Sequence, residues 1–163
     1  MNLYLIDGNS YLYRAYYAIR DLSNSEGFPT NAIYGFTTML LKIIREKKPD
    51  GIVVSFDSPV PTERHKMYGE YKAQRPEMPD DLAQQIPYIR RMIAAFHITI
   101  CEMEGYEADD ILGTIARRGA SEGLDIFIVT GDKDMLQIVD EKIKVYDPMR
   151  DAVLDTQHVW EKF

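Results

Sequence analysis

The sequence predicts an α/β protein built on a parallel-type central sheet with helices on either side. Three observations carry that prediction. Residues 3–6, 52–56 and 126–129 are short, nearly continuous apolar runs, the pattern of strands buried on both faces. Stretches with apolar residues at helical spacing separate them. Strands alternating with helices are the signature of βαβ units, which pair their strands in parallel.

The elements follow in order. The strand at residues 3–6 leads into a helical stretch over about residues 10–19. Thr30 or Asn31 can cap a helix reaching Arg45, with Ile33, Phe36, Leu40 and Ile43 or Ile44 on one face, and Pro49-Asp50-Gly51 ends it. The second strand, 52–56, follows. Pro79 then opens a helix to about Phe96 that carries Ile86, Ile89 and Ile93 on its apolar side. A short segment at 98–100 is a candidate strand. The next helix runs from about Ala108 to Glu122 and stops at Gly123. After the third buried strand, 126–129, Asp134 can cap a short helix through about Val139. Residues 143–146 and 152–154 read as two closing strands, a candidate hairpin, and Thr156 begins a last helix. No repeat, low-complexity tract or linker interrupts the pattern, so residues 1–163 are expected to form one domain.

Of the 163 residues, 45% are hydrophobic and 28% charged, enough to bury a core. The first residues are apolar, but they lack a basic flank and meet Asp7 at once, so no secretory leader is expected. No apolar stretch approaches the roughly 20 residues of a membrane span. The single cysteine, Cys101, cannot form an internal disulfide and reads as core filler, which suits a reducing cytoplasm. The net charge of −7 argues at first against a nucleic-acid partner. Carboxylates that hold a divalent metal also count as negative in such a sum, however, so the total decides nothing.

The carboxylates are the feature with chemical content. The three buried strands end in Ile6-Asp7-Gly8, Phe56-Asp57-Ser58 and Thr130-Gly131-Asp132, with Asp134 two residues on. In a parallel sheet these ends share one edge, the edge outside which ligands bind. A further group, Glu107-Ala108-Asp109-Asp110, stands at a helix start. Singly, each acid is more simply read as a helix cap or turn former. Together, Asp7, Asp57, Glu107, Asp109, Asp110, Asp132 and Asp134 would repel one another unless cations intervened. An all-oxygen site selects magnesium or manganese over zinc. Two such ions roughly 3.5–4 Å apart would clamp a phosphodiester and need no histidine base. His65, His97 and His158 are scattered without zinc-like spacing, and neither a Walker-type loop nor a serine elbow is present.

Between Asp57 and Pro79 the apolar periodicity disappears. Arg64, His65, Lys66, Tyr68, Tyr71, Lys72 and Arg75 stand there, framed by Pro59, Pro61, Pro76 and Pro79. A connection this long inside a domain is usually functional or disordered. Its basic residues suit phosphates and its tyrosines suit unpaired bases, and its place after Asp57 puts it beside the acidic edge. A solvated surface loop is the plainer alternative.

Asp7-Gly8-Asn9 with Tyr13-Arg14, Ala32-Ile33-Tyr34-Gly35-Phe36 and Phe56-Asp57 resemble the 5′-nuclease domain of bacterial DNA polymerase I. So do Tyr71-Lys72-Ala73-Gln74-Arg75, Gly105-Tyr106-Glu107-Ala108-Asp109-Asp110 and Gly131-Asp132-Lys133-Asp134. The motifs match in order along the whole chain, and the last two are the most specific. The resemblance implies a PIN- or flap-nuclease-like (resolvase-like) core with an arch, and magnesium-dependent 5′→3′ exonuclease and 5′-flap endonuclease activity on DNA flaps, nicks and RNA primer junctions. It implies that Asp7, Asp57, Glu107, Asp109, Asp110, Asp132 and Asp134 bind two Mg2+ or Mn2+ ions. Lys72 and Arg75 become catalytic arch cations on the scissile phosphate, with Tyr71 as a stacking neighbour. Arg64 and Lys66 join them as DNA contacts. Arg14 is expected to meet either DNA or a buried acid.

The family pattern continues into a helix–three-turn–helix element for duplex DNA and a Gly-Asp-x-Ser-Asp-Asn motif that supplies further acids. This sequence ends before both, at Trp160-Glu161-Lys162-Phe163. The expectation is therefore a truncated nuclease domain with an incomplete second metal site, from a parent chain that also carries a polymerase domain in a bacterial cytoplasm. Two other readings stay open: a PIN-type ribonuclease, and a DNA-binding fragment with little turnover.

Overall fold

Among the described residues five strands run parallel, because each apolar run is followed by a helical segment that carries the chain back across the sheet. The computed structural model describes residues 1–59 and 77–163. Its strands are β1 Asn2–Asp7, β2 Gly51–Ser55, β3 Thr99–Cys101, β4 Asp125–Val129, β5 Ile143–Asp147 and β6 Ala152–Leu154. They lie in the order β3-β2-β1-β4-β5-β6, with only β6 antiparallel, paired to β5 as the expected hairpin. The order reverses between β1 and β4, which pair from Asn2↔Asp125 to Ile6↔Val129. In a doubly wound sheet that switch point is where ligands bind, beyond the carboxyl ends of the strands.

The helices are α1 Gly8–Ala18, α2 Asn31–Lys42, α3 Asp80–Ala95, α4 Ala108–Ser121 and α5 Thr156–Lys162. Strand alternation divides the core in two. Tyr4, Ile6, Val54 and Val129 pack with Leu12, Phe36, Leu40, Ile89 and Ile93 beneath α1, α2 and α3. Leu5, Ile126, Ile128 and Val145 pack with Leu112 and Ala116 of α4 on the opposite face. No helix among the described residues is long and apolar enough to cross a membrane.

Three helix ends differ from expectation. Thr30 occupies the start of α2 but makes no capping bond through its side chain. The first amide groups of α2 are satisfied from another helix instead: buried Gln85 of α3 accepts from Ala32 N (2.8 Å) and Ile33 N (3.1 Å). Its amide also donates to Asn31 Oδ1 at 2.8 Å. At its far end α2 loosens into a π-helical turn, Ile43–Lys47, stopped by Lys48 in the left-handed region rather than by Pro49-Asp50-Gly51. The turn after β4 is a 3-10 turn, Lys133–Ile138, capped by Asp132, whose Oδ1 accepts from Asp134 N at 2.9 Å. Asp134, the expected cap, is thus the capped residue.

Candidate metal centre

Asp7 ends β1 and opens α1, so its carboxylate is fixed by two elements at once. One oxygen accepts from Ser10 N (3.2 Å) as the N-cap of α1, and the other accepts from the Thr130 hydroxyl (3.0 Å) at the end of β4. Asp7 is 7% exposed. Burial pushes its pKa up to about 6; the two hydrogen bonds oppose the rise, and the charges of Asp57 and Asp109 add to it. Asp7, Asp57 and Asp109 therefore share one electrostatic neighbourhood.

Asp57 follows β2 and is held at both ends. Its backbone N donates to Asn9 Oδ1 (2.6 Å), and its own Oδ1 accepts from Ala108 N (2.7 Å) in the first turn of α4. The carboxylate thus sits at the N-terminus of α4 and accepts from one of that helix's free backbone N–H groups. Glu107 and Asp110 close the same turn as a capping box, in which Asp110 Oδ2 accepts from Glu107 N at 3.3 Å. Glu107 is buried, whereas Asp109 and Asp110 are half-buried. Asp132 and Asp134 stand exposed at the 3-10 turn, tied in because Asp132 N donates to Thr130 Oγ1 at 3.1 Å.

All seven predicted acids thus lie at the carboxyl ends of β1, β2 and β4 or in the α4 turn that bonds to Asp57. Their packing is looser than a finished coordination shell. Among the described residues no three His, Cys, Asp or Glu side chains form a group that could hold an ion as they stand. Oxygens of Asp7, Asp57 and Asp132 already accept hydrogen bonds, and a carboxylate oxygen that accepts one such bond has a second lone pair with which to ligate a cation. A hard, oxygen-seeking divalent ion fits this donor set, which contains no sulfur or nitrogen. It would also offset the charge that Asp57 and Asp109 impose on buried Asp7.

Arg14 Nη1 meets Asp147 Oδ1 at 3.1 Å, the acidic partner of its two expected alternatives. Its guanidinium lies against Gly131, where a Cβ would have to displace it. Arg64, Lys66, Tyr71, Lys72 and Arg75 lie outside the described residues. The sequence reading missed Asn9, Ser10 and Thr130. Ser10 Oγ accepts from Gly131 N at 3.2 Å, so the first turn of α1 touches the loops after both β2 and β4. The signal for Asn9 was its place in the Asp7-Gly8-Asn9 motif; nothing local marked Ser10 or Thr130.

Residues 2–163 match the family described as the 5′-3′ exonuclease, N-terminal resolvase-like domain. A 5′-3′ exonuclease of Aquifex aeolicus is 45% identical over 161 residues, which cover 99% of this chain and 56% of that protein. DNA polymerase I of Caldicellulosiruptor bescii is 44% identical over 169 residues, covering 100% of this chain and 20% of the polymerase. This chain therefore spans about half, or only a fifth, of such relatives. Among solved structures, the T5 5′-exonuclease with bound divalent zinc ions superposes with a TM-score of 0.72 at 17% identity, over 99% of this chain and 60% of that one. The catalytic core of Rad2 in complex with DNA gives 0.58 at 19% identity, over 98% and 49%. At those identities the likeness concerns the fold.

Proposed function

This chain belongs to the 5′-3′ exonuclease family through its N-terminal resolvase-like domain, and on that premise we propose that its acidic sheet edge binds divalent cations and cuts DNA at 5′ ends and flaps. The observation that carries the reading is buried Asp7 at the β1/β4 switch point, crowded by the charges of Asp57 and Asp109. So costly an arrangement is expected where a cation is to be held.

Asp7, Asp57 and Asp109 would form the inner part of the cation site, with Glu107, Asp110, Asp132 and Asp134 around it. When bound, magnesium or manganese supplies a water of lowered pKa and neutralises the phosphate oxygens. The chain's own residues do the holding. The first turns of α1 and α4 fix Asp7 and Asp57 through backbone N–H groups, so neither must reorganise as substrate arrives. Lys72 and Arg75 contact the scissile phosphate in this reading, Tyr71 stacks beside them, and Arg64 and Lys66 hold the strand. Arg14 stays paired with Asp147 unless a phosphate replaces that partner.

The whole parent protein is taken to act on 5′ flaps, nicks and RNA primer–DNA junctions in a bacterial cytoplasm, with a polymerase domain in the same chain as in the Caldicellulosiruptor relative. A helix–three-turn–helix part and the remaining acids of the second site would lie outside these residues. The test is cleavage of a labelled 5′-flap duplex by this chain in Mg2+ and in Mn2+, beside a single-stranded RNA. Metal-dependent cutting near the flap base supports the reading. Cutting of the RNA alone replaces it with a PIN-type ribonuclease, and flap binding without cutting in either metal leaves a DNA-binding fragment.

A further inference from the structure

One basic side chain of α3 reaches toward the acidic edge. The Arg90 guanidinium lies over the ring of Phe56, 4.7 Å from Cζ to the ring centroid, and its Nη2 donates to Glu102 Oε1 at 2.8 Å. The two charged side chains are only 35% and 30% exposed. The ion pair itself lies at the exposed surface, where such a pair sets little on its own. Here a planar guanidinium is held on two sides, by an aromatic face and by a carboxylate.

The ring it touches matters more than the pair. Phe56 is 2% exposed, and a Cβ on Gly8 would come within 2.5 Å of its Cε1, so the ring lies directly against the Gly8 backbone. Gly8 directly follows Asp7, and Phe56 directly precedes Asp57. The ring therefore packs against the backbone on both strands where the acids emerge, just beyond the last ladder pair Asp7↔Ser55. The clamp closes on the neighbouring strand: Phe56 N donates to Cys101 O at 3.2 Å, and Glu102 is the next residue.

We propose that Arg90 is a positioning residue for the Asp7–Asp57 pair, holding Phe56 between α3 and the end of β3. The proposal rests on the reading that this edge binds a divalent cation. It assigns Arg90 no contact with substrate.

The test compares Arg90→Met and Arg90→Lys with the unaltered chain, reading Mn2+ affinity by electron paramagnetic resonance together with kcat and KM on the 5′-flap duplex. Residues that orient a metal's ligands typically cost 10–100-fold on removal, so Arg90→Met should weaken Mn2+ binding by roughly tenfold. It should lower kcat in step and leave KM unchanged, and Arg90→Lys should recover part of both. Unaltered Mn2+ affinity in Arg90→Met overturns the proposal. So does a rise in KM alone, which would make Arg90 a DNA contact. If Arg90→Met fails to fold, Glu102→Gln loosens the same clamp from the other side and should weaken Mn2+ binding; no change there is equally fatal. A chain that binds Mn2+ but cuts no flap loses the substrate reading alone, and the Mn2+ comparison still decides the role of Arg90. A chain that binds no Mn2+ ends both.

Discussion

Replacing Asp7 by Asn should make the metal-free protein more stable above about pH 6, although it damages the proposed site. The folded-state pKa of Asp7 is raised from 3.8 to about 6, chiefly by burial. The folded form thus binds this proton more tightly than the unfolded chain does. Stability from that preference is full below about pH 4 and is lost as pH rises through about 6. The shift of about two pH units corresponds to roughly 3 kcal/mol lost on the alkaline side. Asn carries no charge, keeps an oxygen for Ser10 N and offers a polar partner to Thr130. Those neutral bonds are weaker than the carboxylate's, which reduces the expected gain to about 1–3 kcal/mol. In a domain of this size each kcal/mol moves Tm by about 2–4 °C. Thermal unfolding in EDTA should therefore place Asp7→Asn several degrees above the unaltered chain at about pH 8, with the gap closing toward pH 4. Added Mg2+ should raise the Tm of the unaltered chain and not that of the variant. A variant less stable at pH 8 in EDTA, or a gap independent of pH, would refute the reasoning.

Asp132→Ala should abolish flap cleavage while costing only about 1 kcal/mol, the worth of the 3-10 turn cap it removes, so normal cleavage at saturating metal would exclude Asp132 from the site. Thr130→Val deprives Asp7 and Asp132 N of a buried hydroxyl, which should cost about 1–3 kcal/mol and raise the Asp7 pKa further, as an NMR titration would show. Gly8→Ala drives a methyl into Phe56 and Ser55 O, for a loss of about 1–3 kcal/mol in denaturant unfolding together with weaker Mn2+ binding. Gln85→Leu strands the first amide groups of α2, and a drop of about 3 kcal/mol or more is expected. Lys72→Ala should lower flap cleavage with little change in Mn2+ affinity; unchanged cleavage would remove it from the phosphate contacts.

The strand-end acids were legible because their positions depend on one rule: parallel strands end on the same edge. Asp7, Asp57 and Asp132 needed only the apolar runs before them. The residues that hold them required knowing which strands are neighbours. Thr130 reaches Asp7 only because β4 lies beside β1, and Asn9 reaches Asp57 only because β2 lies on the other side. Gln85 was hidden for a related reason. A glutamine on a helix reads as solvent-facing until another helix brings amide groups to it. Caps were misplaced where two candidates stood close together, as at Asp132 and Asp134, since the sequence offers both and the backbone uses one. The partner of Arg14 is 133 residues away, beyond any local pattern.

Anomalous diffraction from crystals of this chain soaked in Mn2+ tests the central claim most directly. The predicted result is a manganese peak at the carboxyl ends of β1 and β2, ligated by Asp7, Asp57 and Asp109 and lost in Asp7→Asn crystals. No peak at that edge, or a peak that survives in Asp7→Asn, would contradict it.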